Sequence, residues 1–130
     1  MKTAVIVLAA GRGHRLGGET PKAFVRLGER TLLERTFDGL VGFPGFGWIQ
    51  PVVAPADFDR YAALDLPRDA RLAAPVAGGA ERQDSVAAGL AALPLDFDLV
   101  AIHDAARCLV EPGEVARVVA AAPPVRRRRQ

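Results

Sequence analysis

Residues 3–8 read TAVIVL, an apolar and largely β-branched run with no polar alternation. A strand of that kind is buried on both faces, which points to a parallel sheet with helices packed above and below it. The run leads into a glycine-rich loop over residues 11–18. Whatever this chain folds into must place that loop at the carboxyl end of a central strand, where open α/β sheets bind their ligands.

The rest of the chain continues the alternation. Residues 31–41 carry Leu33, Phe37, Leu40 and Val41 on one helical face, and residues 42–47 break that helix with Pro44 inside. Residues 48–54 form a second strand candidate, weakened by Pro51. A short helix over 57–64 and a third strand over 72–76 follow. Residues 81–93 form a helix with Val86, Leu90 and Leu93 on one face, residues 98–103 (DLVAIH) another buried strand, and residues 112–122 a helix with proline in its first turn. Strands alternating with helices predict an α/β fold with a mostly parallel sheet.

Composition removes several classes. A length of 130 residues suits one domain. With 50% hydrophobic and 25% charged residues the chain is not of the disordered type. The apolar run at 4–10 is far shorter than the ~20 residues of a membrane span and lacks a basic lead-in, so neither a membrane segment nor a secretory signal is expected. Cys108 is the single cysteine, which excludes an internal disulfide and makes the cytoplasm the default compartment. The net charge of +2 comes from Arg126, Arg127, Arg128 and Arg129; without them 13 basic residues face 15 acidic ones, a net of −2. A mildly acidic body argues against a nucleic-acid partner. Lys2 and Lys22 stand alone among 15 arginines, which makes Lys22 informative.

Three segments at strand ends carry the chemistry and should converge. In the first, residues 9–22, glycines after a strand let backbone N–H groups approach phosphates. Gly11, Gly13 and Gly17 miss the dinucleotide spacing by one residue, and Lys22 follows Pro21 rather than closing a Walker loop. Arg12, Arg15 and a rigid Thr-Pro-Lys beside such a loop suit a triphosphate or the charge of a transfer reaction. The alternative is an ordinary strand-to-helix loop with solvated arginines. In the second, residues 78–85, two glycines precede a helix whose first turn holds Glu81 and Asp84; taken alone this is the pattern of N-terminal capping, with Ser85 a hydroxyl able to face a base or ribose. In the third, residues 103–107, Asp104 ends a buried strand where a carboxylate could hold Mg²⁺ together with phosphate oxygens, or could cap the next turn. His103 is equally consistent with a structural histidine. His14, His103 and Cys108 are too few for a zinc site, and no serine has a nucleophile-elbow context.

In this order, LAAGRGHRLGGETPKAF, GGAERQDSV and HDAAR resemble the 2-C-methyl-D-erythritol 4-phosphate cytidylyltransferase family, over about residues 5–119. The opening motif is shared with many sugar-phosphate nucleotidyltransferases; the second and third segments are more specific. The resemblance implies a Rossmann-like three-layer nucleotidyltransferase fold over residues 1–122, with 123–130 a basic tail. It implies Mg²⁺-dependent transfer of a cytidylyl group from CTP to 2-C-methyl-D-erythritol 4-phosphate, a sugar-alcohol phosphate, with release of pyrophosphate in non-mevalonate isoprenoid biosynthesis. By motif position, Ala9, Ala10, Gly11 and Gly13 would approach CTP through their backbone. Arg15 and Lys22 would stabilise charge on the α-phosphate, and Gly79 and Ser85 would read the cytosine. Asp104 would hold the metal, and Arg107 would order this corner by ion pairing.

Two departures qualify the resemblance. Cys108 stands where the family pattern continues with proline. Family members are also longer, their second half supplying further strands, acceptor-holding residues and a dimer arm. The resemblance therefore implies a C-terminal part missing here, a homodimer arm absent with it, and a chain that binds CTP weakly without completing transfer. The four arginines before Gln130 read as a truncated or frame-shifted end, a genuine basic tail being the alternative. Two other functions remain open: a non-catalytic nucleotide-binding remnant, and a pentitol-phosphate cytidylyltransferase, against which Ala105-Ala106 in HDAAR weighs.

Overall fold

Strand β1 (Thr3–Ala9) is buried along its whole length, as its composition requires. The computed structural model describes residues 2–10, 20–94 and 96–105. After a 3-10 turn at Lys22–Phe24, a small hairpin pairs β2 (Arg26–Leu27) with β3 (Arg30–Thr31) and feeds α1 (Leu32–Val41). Then come β4 (Phe46–Val53), a 3-10 turn at Pro55–Asp57, α2 (Phe58–Ala62), β5 (Val76–Ala77), α3 (Arg82–Ala92) and β6 (Leu99–Asp104). The main sheet has the order β5-β4-β1-β6, and all its pairings are parallel.

The alternation of β1 divides the core. Val5, Val7 and Ala9 pack with Leu33, Phe37 and Leu40 of α1, with Ala23 and Phe24, and with Tyr61 of α2. Ala4, Ile6 and Leu8 pack on the opposite face with Val86 and Leu90 of α3 and with Leu93. This is the three-layer arrangement expected of a strand buried on both sides. Gly89 lets α3 lie close on the sheet: a Cβ there would come within 2.7 Å of Ile6 Cγ2 and 3.1 Å of Val52 Cγ2.

Both long helices open on a capping box, Thr31 with Glu34 and Glu81 with Asp84. Glu34 is buried, and its second carboxylate oxygen accepts from the Asp65 N–H at 2.7 Å. Burial pushes its carboxyl up, but the N–H groups of Thr31 and Asp65, the Thr31 hydroxyl and the charge of Arg30 outweigh this and hold it below the usual range. At the other end of α1, the Arg71 guanidinium donates to the carbonyls of Val41, Phe43 and Phe46 at 2.7–3.1 Å and grips Asp69 through two nitrogens. The Arg71 side chain, with its backbone N–H, holds the Asp69 carboxyl at about 2.

β4 differs from its expected form. It begins at Phe46, two residues early, and lies between β5 and β1 despite Pro51. Proline supplies no N–H to a ladder and is normally excluded from such a place. Here the β4–β5 ladder is interrupted. Ile49 bonds Arg71 O and Ala73 N, Val53 O accepts from Gly78 N, and between them Pro51 faces a segment that contains Pro75. The buried Gln50 amide spans the gap, donating to Pro51 O at 3.0 Å and Ala74 O at 2.9 Å, while its oxygen accepts from Trp48 Nε1 at 3.0 Å. The third strand expected over 72–76 is accordingly reduced to an isolated bridge at Leu72 and the two residues of β5. The helix expected over 57–64 is shorter, since Pro55–Asp57 forms a 3-10 turn ahead of it. The helix expected over 112–122 and the glycine loop at 11–18 lie outside the described residues.

Candidate functional site at the carboxyl edge of the sheet

The parallel strands end together on one edge, and two of the three motif segments meet there through direct contact. Gly78, just after β5, lies against Ala10, just after β1. A Cβ at position 78 would overlap Ala10 Cβ and come within 2.7 Å of Ser85 Oγ and 3.2 Å of Val52 Cγ1. The Gly79 N–H donates to Ser85 Oγ at 3.2 Å, so the first turn of α3 holds the glycine pair in place. Ser85 is buried. Its hydroxyl accepts from Gly79 and keeps its own O–H for donation.

The third segment joins from the other side of β1. Asp104 is in register with Leu8, and the Ala105 N–H donates to Leu8 O at 2.9 Å. Asp104 is exposed at the edge and Ala105 is fully buried. The Thr36 hydroxyl of α1, itself fully buried, lies 2.9 Å from Ala105 O and 3.0 Å from Leu32 O. Lys22 is exposed on a 3-10 turn whose neighbours Ala23 and Phe24 are anchored in the same core cluster as Ala9 and Ala105. The Pro21 φ of −60° and the bond from Phe24 N to Pro21 O at 2.9 Å set that turn.

Of the residues singled out from sequence, Ala9, Ala10, Lys22, Gly79, Ser85 and Asp104 lie among those described. Gly11, Gly13, Arg15 and Arg107 lie outside them, as do Arg12 and Cys108. Glu81 and Asp84 form the capping box that their spacing alone suggests. Gly78 was not singled out from sequence as a site residue, yet it is the glycine that touches the first segment; the doubled glycine was the available signal. Among the described residues no three His, Cys, Asp or Glu side chains gather as a metal cage. Glu81 and Asp84, also exposed, are engaged in the capping box of α3; the carboxylate at the end of β6 is that of Asp104. That donor fits a hard cation that keeps several waters and completes its shell with substrate phosphates.

A three-layer α/β domain with a parallel sheet and ligand-type segments converging on its carboxyl edge belongs to the broad Rossmann-like class. The comparisons are specific beyond that. The family model for IspD, 2-C-methyl-D-erythritol 4-phosphate cytidylyltransferase, matches residues 3–126, and the chain belongs to that family. It is 46% identical over 126 residues to the 2-C-methyl-D-erythritol 4-phosphate cytidylyltransferase of Corynebacterium glutamicum, covering 88% of this chain and 48% of that one. It is 43% identical over 122 residues to the bifunctional enzyme IspD/IspF of a Bradyrhizobium species, covering 93% of this chain and 30% of the relative. Among solved structures, 4-diphosphocytidyl-2C-methyl-D-erythritol synthase from Anaerococcus prevotii matches with a TM-score of 0.78 at 26% identity, over 92% of this chain and 50% of that one. The chain thus spans about half the length, or less, of the relatives it matches.

Proposed function

We propose that this chain carries the nucleotide-handling part of a cytidylyltransferase, which joins a cytidylyl group from CTP to 2-C-methyl-D-erythritol 4-phosphate and releases pyrophosphate. Supporting this is the meeting of Ala10, Gly78 and Ser85 on one side of β1 and of Leu8 and Ala105 on the other, in a chain of that family. The backbone at Ala9 and Ala10 would lie along the triphosphate with Gly11 and Gly13. Gly79 and Ser85 would take the cytosine. Lys22 and Arg15 would stabilise charge developing on the α-phosphate as the acceptor phosphate attacks in line, and Arg107 would order the corner beyond Asp104. No protein nucleophile is required, since positioning and electrostatic stabilisation suffice for such transfer.

Asp104 would hold Mg²⁺ at the edge, the metal supplying neutralisation of phosphate charge. The single cysteine supports a cytoplasmic setting. The working enzyme would be a homodimer that binds neither nucleic acid nor membrane; among the described residues no helix is long and apolar enough to cross one.

The test is pyrophosphate release measured with CTP, Mg²⁺ and the acceptor, each omitted in turn. Release that requires all three is the expected result. Saturable CTP binding with no release under any condition would instead identify a non-catalytic nucleotide-binding remnant. Release with a pentitol phosphate in place of the methylerythritol phosphate would reassign the acceptor.

A further inference from the structure

We propose that Thr36 is a positioning residue for the Asp104 carboxylate, acting through the peptide of Ala105. This rests on the role given to Asp104 above. Ala105 follows Asp104 directly and is held from two elements at once: its N–H donates to Leu8 O of β1 at 2.9 Å, and its carbonyl lies 2.9 Å from the Thr36 hydroxyl of α1. Thr36 and Ala105 are 69 residues apart in sequence and both are fully buried.

The choice of residue is what makes the contact informative. The other core-facing residues of α1, Leu33, Phe37 and Leu40, are apolar and better helix formers as a set. A β-branched hydroxyl in the middle of a helix costs helix propensity, and the usual remedy is donation to the carbonyl four residues back. The single Thr36 O–H is shared between that partner, Leu32 O at 3.0 Å, and Ala105 O at 2.9 Å, although burial alone would be met by the first acceptor. The second acceptor belongs to the residue beside the proposed ligand. Fixing that peptide from both sides sets the direction in which β6 delivers the Asp104 side chain, since groups behind a ligand orient it as the ligand orients the metal. Thr36 touches neither substrate nor metal.

The test compares Thr36→Val, which keeps the shape and removes the donor, with Thr36→Ser, which keeps the donor. Thr36→Ala serves as a second donor-free variant should the valine fail to fold. Mn²⁺ affinity in the presence of CTP, read by the electron paramagnetic resonance of free Mn²⁺, and the thermal midpoint are measured for each. The donor-free variants should bind Mn²⁺ about tenfold more weakly, the low end for groups that orient a metal ligand. Thr36→Ser should stay close to wild type, and the effect should vanish when Thr36→Val is placed on Asp104→Asn. Donor-free variants that melt earlier but bind Mn²⁺ like wild type would overturn the proposal and leave Thr36 a structural residue. Because Mn²⁺ binding needs no turnover, a wild-type chain that binds Mn²⁺ yet releases no pyrophosphate negates the transfer reaction while the Thr36 comparison still decides. A wild-type chain that binds no Mn²⁺ removes Asp104 as a ligand and this proposal with it.

Discussion

Gly78 and Ala10, 68 positions apart in the chain, are packed so that a methyl group on the first would overlap the one on the second. Gly78→Ala must therefore push the β5 end away from β1 or displace Ser85. Overpacking of this kind costs about 1–3 kcal/mol, and the displacement occurs where the first and second segments meet. A lowered thermal midpoint together with weaker CTP binding in calorimetry is expected. Unchanged CTP affinity in a destabilised variant would separate that contact from the nucleotide site.

Lys22→Ala removes the positive group proposed above to act on the α-phosphate. Loss of one preorganised charge of this kind lowers a transfer rate by about 10²–10³. Steady-state pyrophosphate release should show the loss mainly in kcat, with little change in thermal midpoint because Lys22 is exposed.

Asp104→Asn replaces a carboxylate by a neutral amide, a poorer donor for a hard cation. The expected signature is a higher Mg²⁺ requirement, partly relieved by raising the Mg²⁺ concentration. An activity profile against Mg²⁺ that superimposes on wild type would assign Asp104 to capping.

Gln50→Leu keeps the volume and removes the amide that spans the gap at Pro51. The carbonyls of Pro51 and Ala74 and the indole N–H of Trp48 each lose a partner. A buried group left unpaired costs about 1–3 kcal/mol. With Ala74 exposed and Trp48 partly so, urea unfolding should show a loss of about 1–3 kcal/mol, and a shift within experimental error would refute the role given to the amide.

Acid should destabilise the fold through Asp69 and Glu34. Both carboxyls are lowered in the folded state, Asp69 to about 2 from an ordinary 3.8 and Glu34 below its ordinary 4.5. Their contribution is complete above the ordinary values and is lost as pH falls through the folded ones. Urea midpoints should therefore fall between about pH 4.5 and pH 2, and Asp69→Asn should flatten the lower part of that decline. A decline of equal slope in Asp69→Asn would show that Arg71 does not discriminate the charged form.

How much of this was legible in the sequence varies with the range of the interaction involved. β1 was legible because burial on both faces leaves an unbroken apolar run at 4–8, and α1 and α3 because their apolar spacing is local, with Glu81 and Asp84 as the capping signal of α3. The convergence of the three motif segments followed from parallel topology alone. The β4–β5 pairing did not, because Pro51 argues locally against a central strand and Gln50 reaches an acceptor 24 residues away. The β2–β3 hairpin has too few residues for a period. The seat of Ser85 was half visible: the motif placed it at the edge, but only the folded chain shows it buried with the Gly79 N–H.

The gap at Pro51 has a consequence for how the sheet assembles. Strands of similar apolar residues can slide past one another by two positions without exposing their faces. Between β4 and the segment that ends in β5, such a slide would carry Ala74 O away from the Gln50 amide and leave the opposed stretch without a substitute for its missing donors. The interruption thus acts as a key cut for one alignment. It also ties the placement of Gly78 beside Ala10 to a glutamine 28 positions upstream, so that an error of pairing made early in folding would misplace the glycine pair along with the strand.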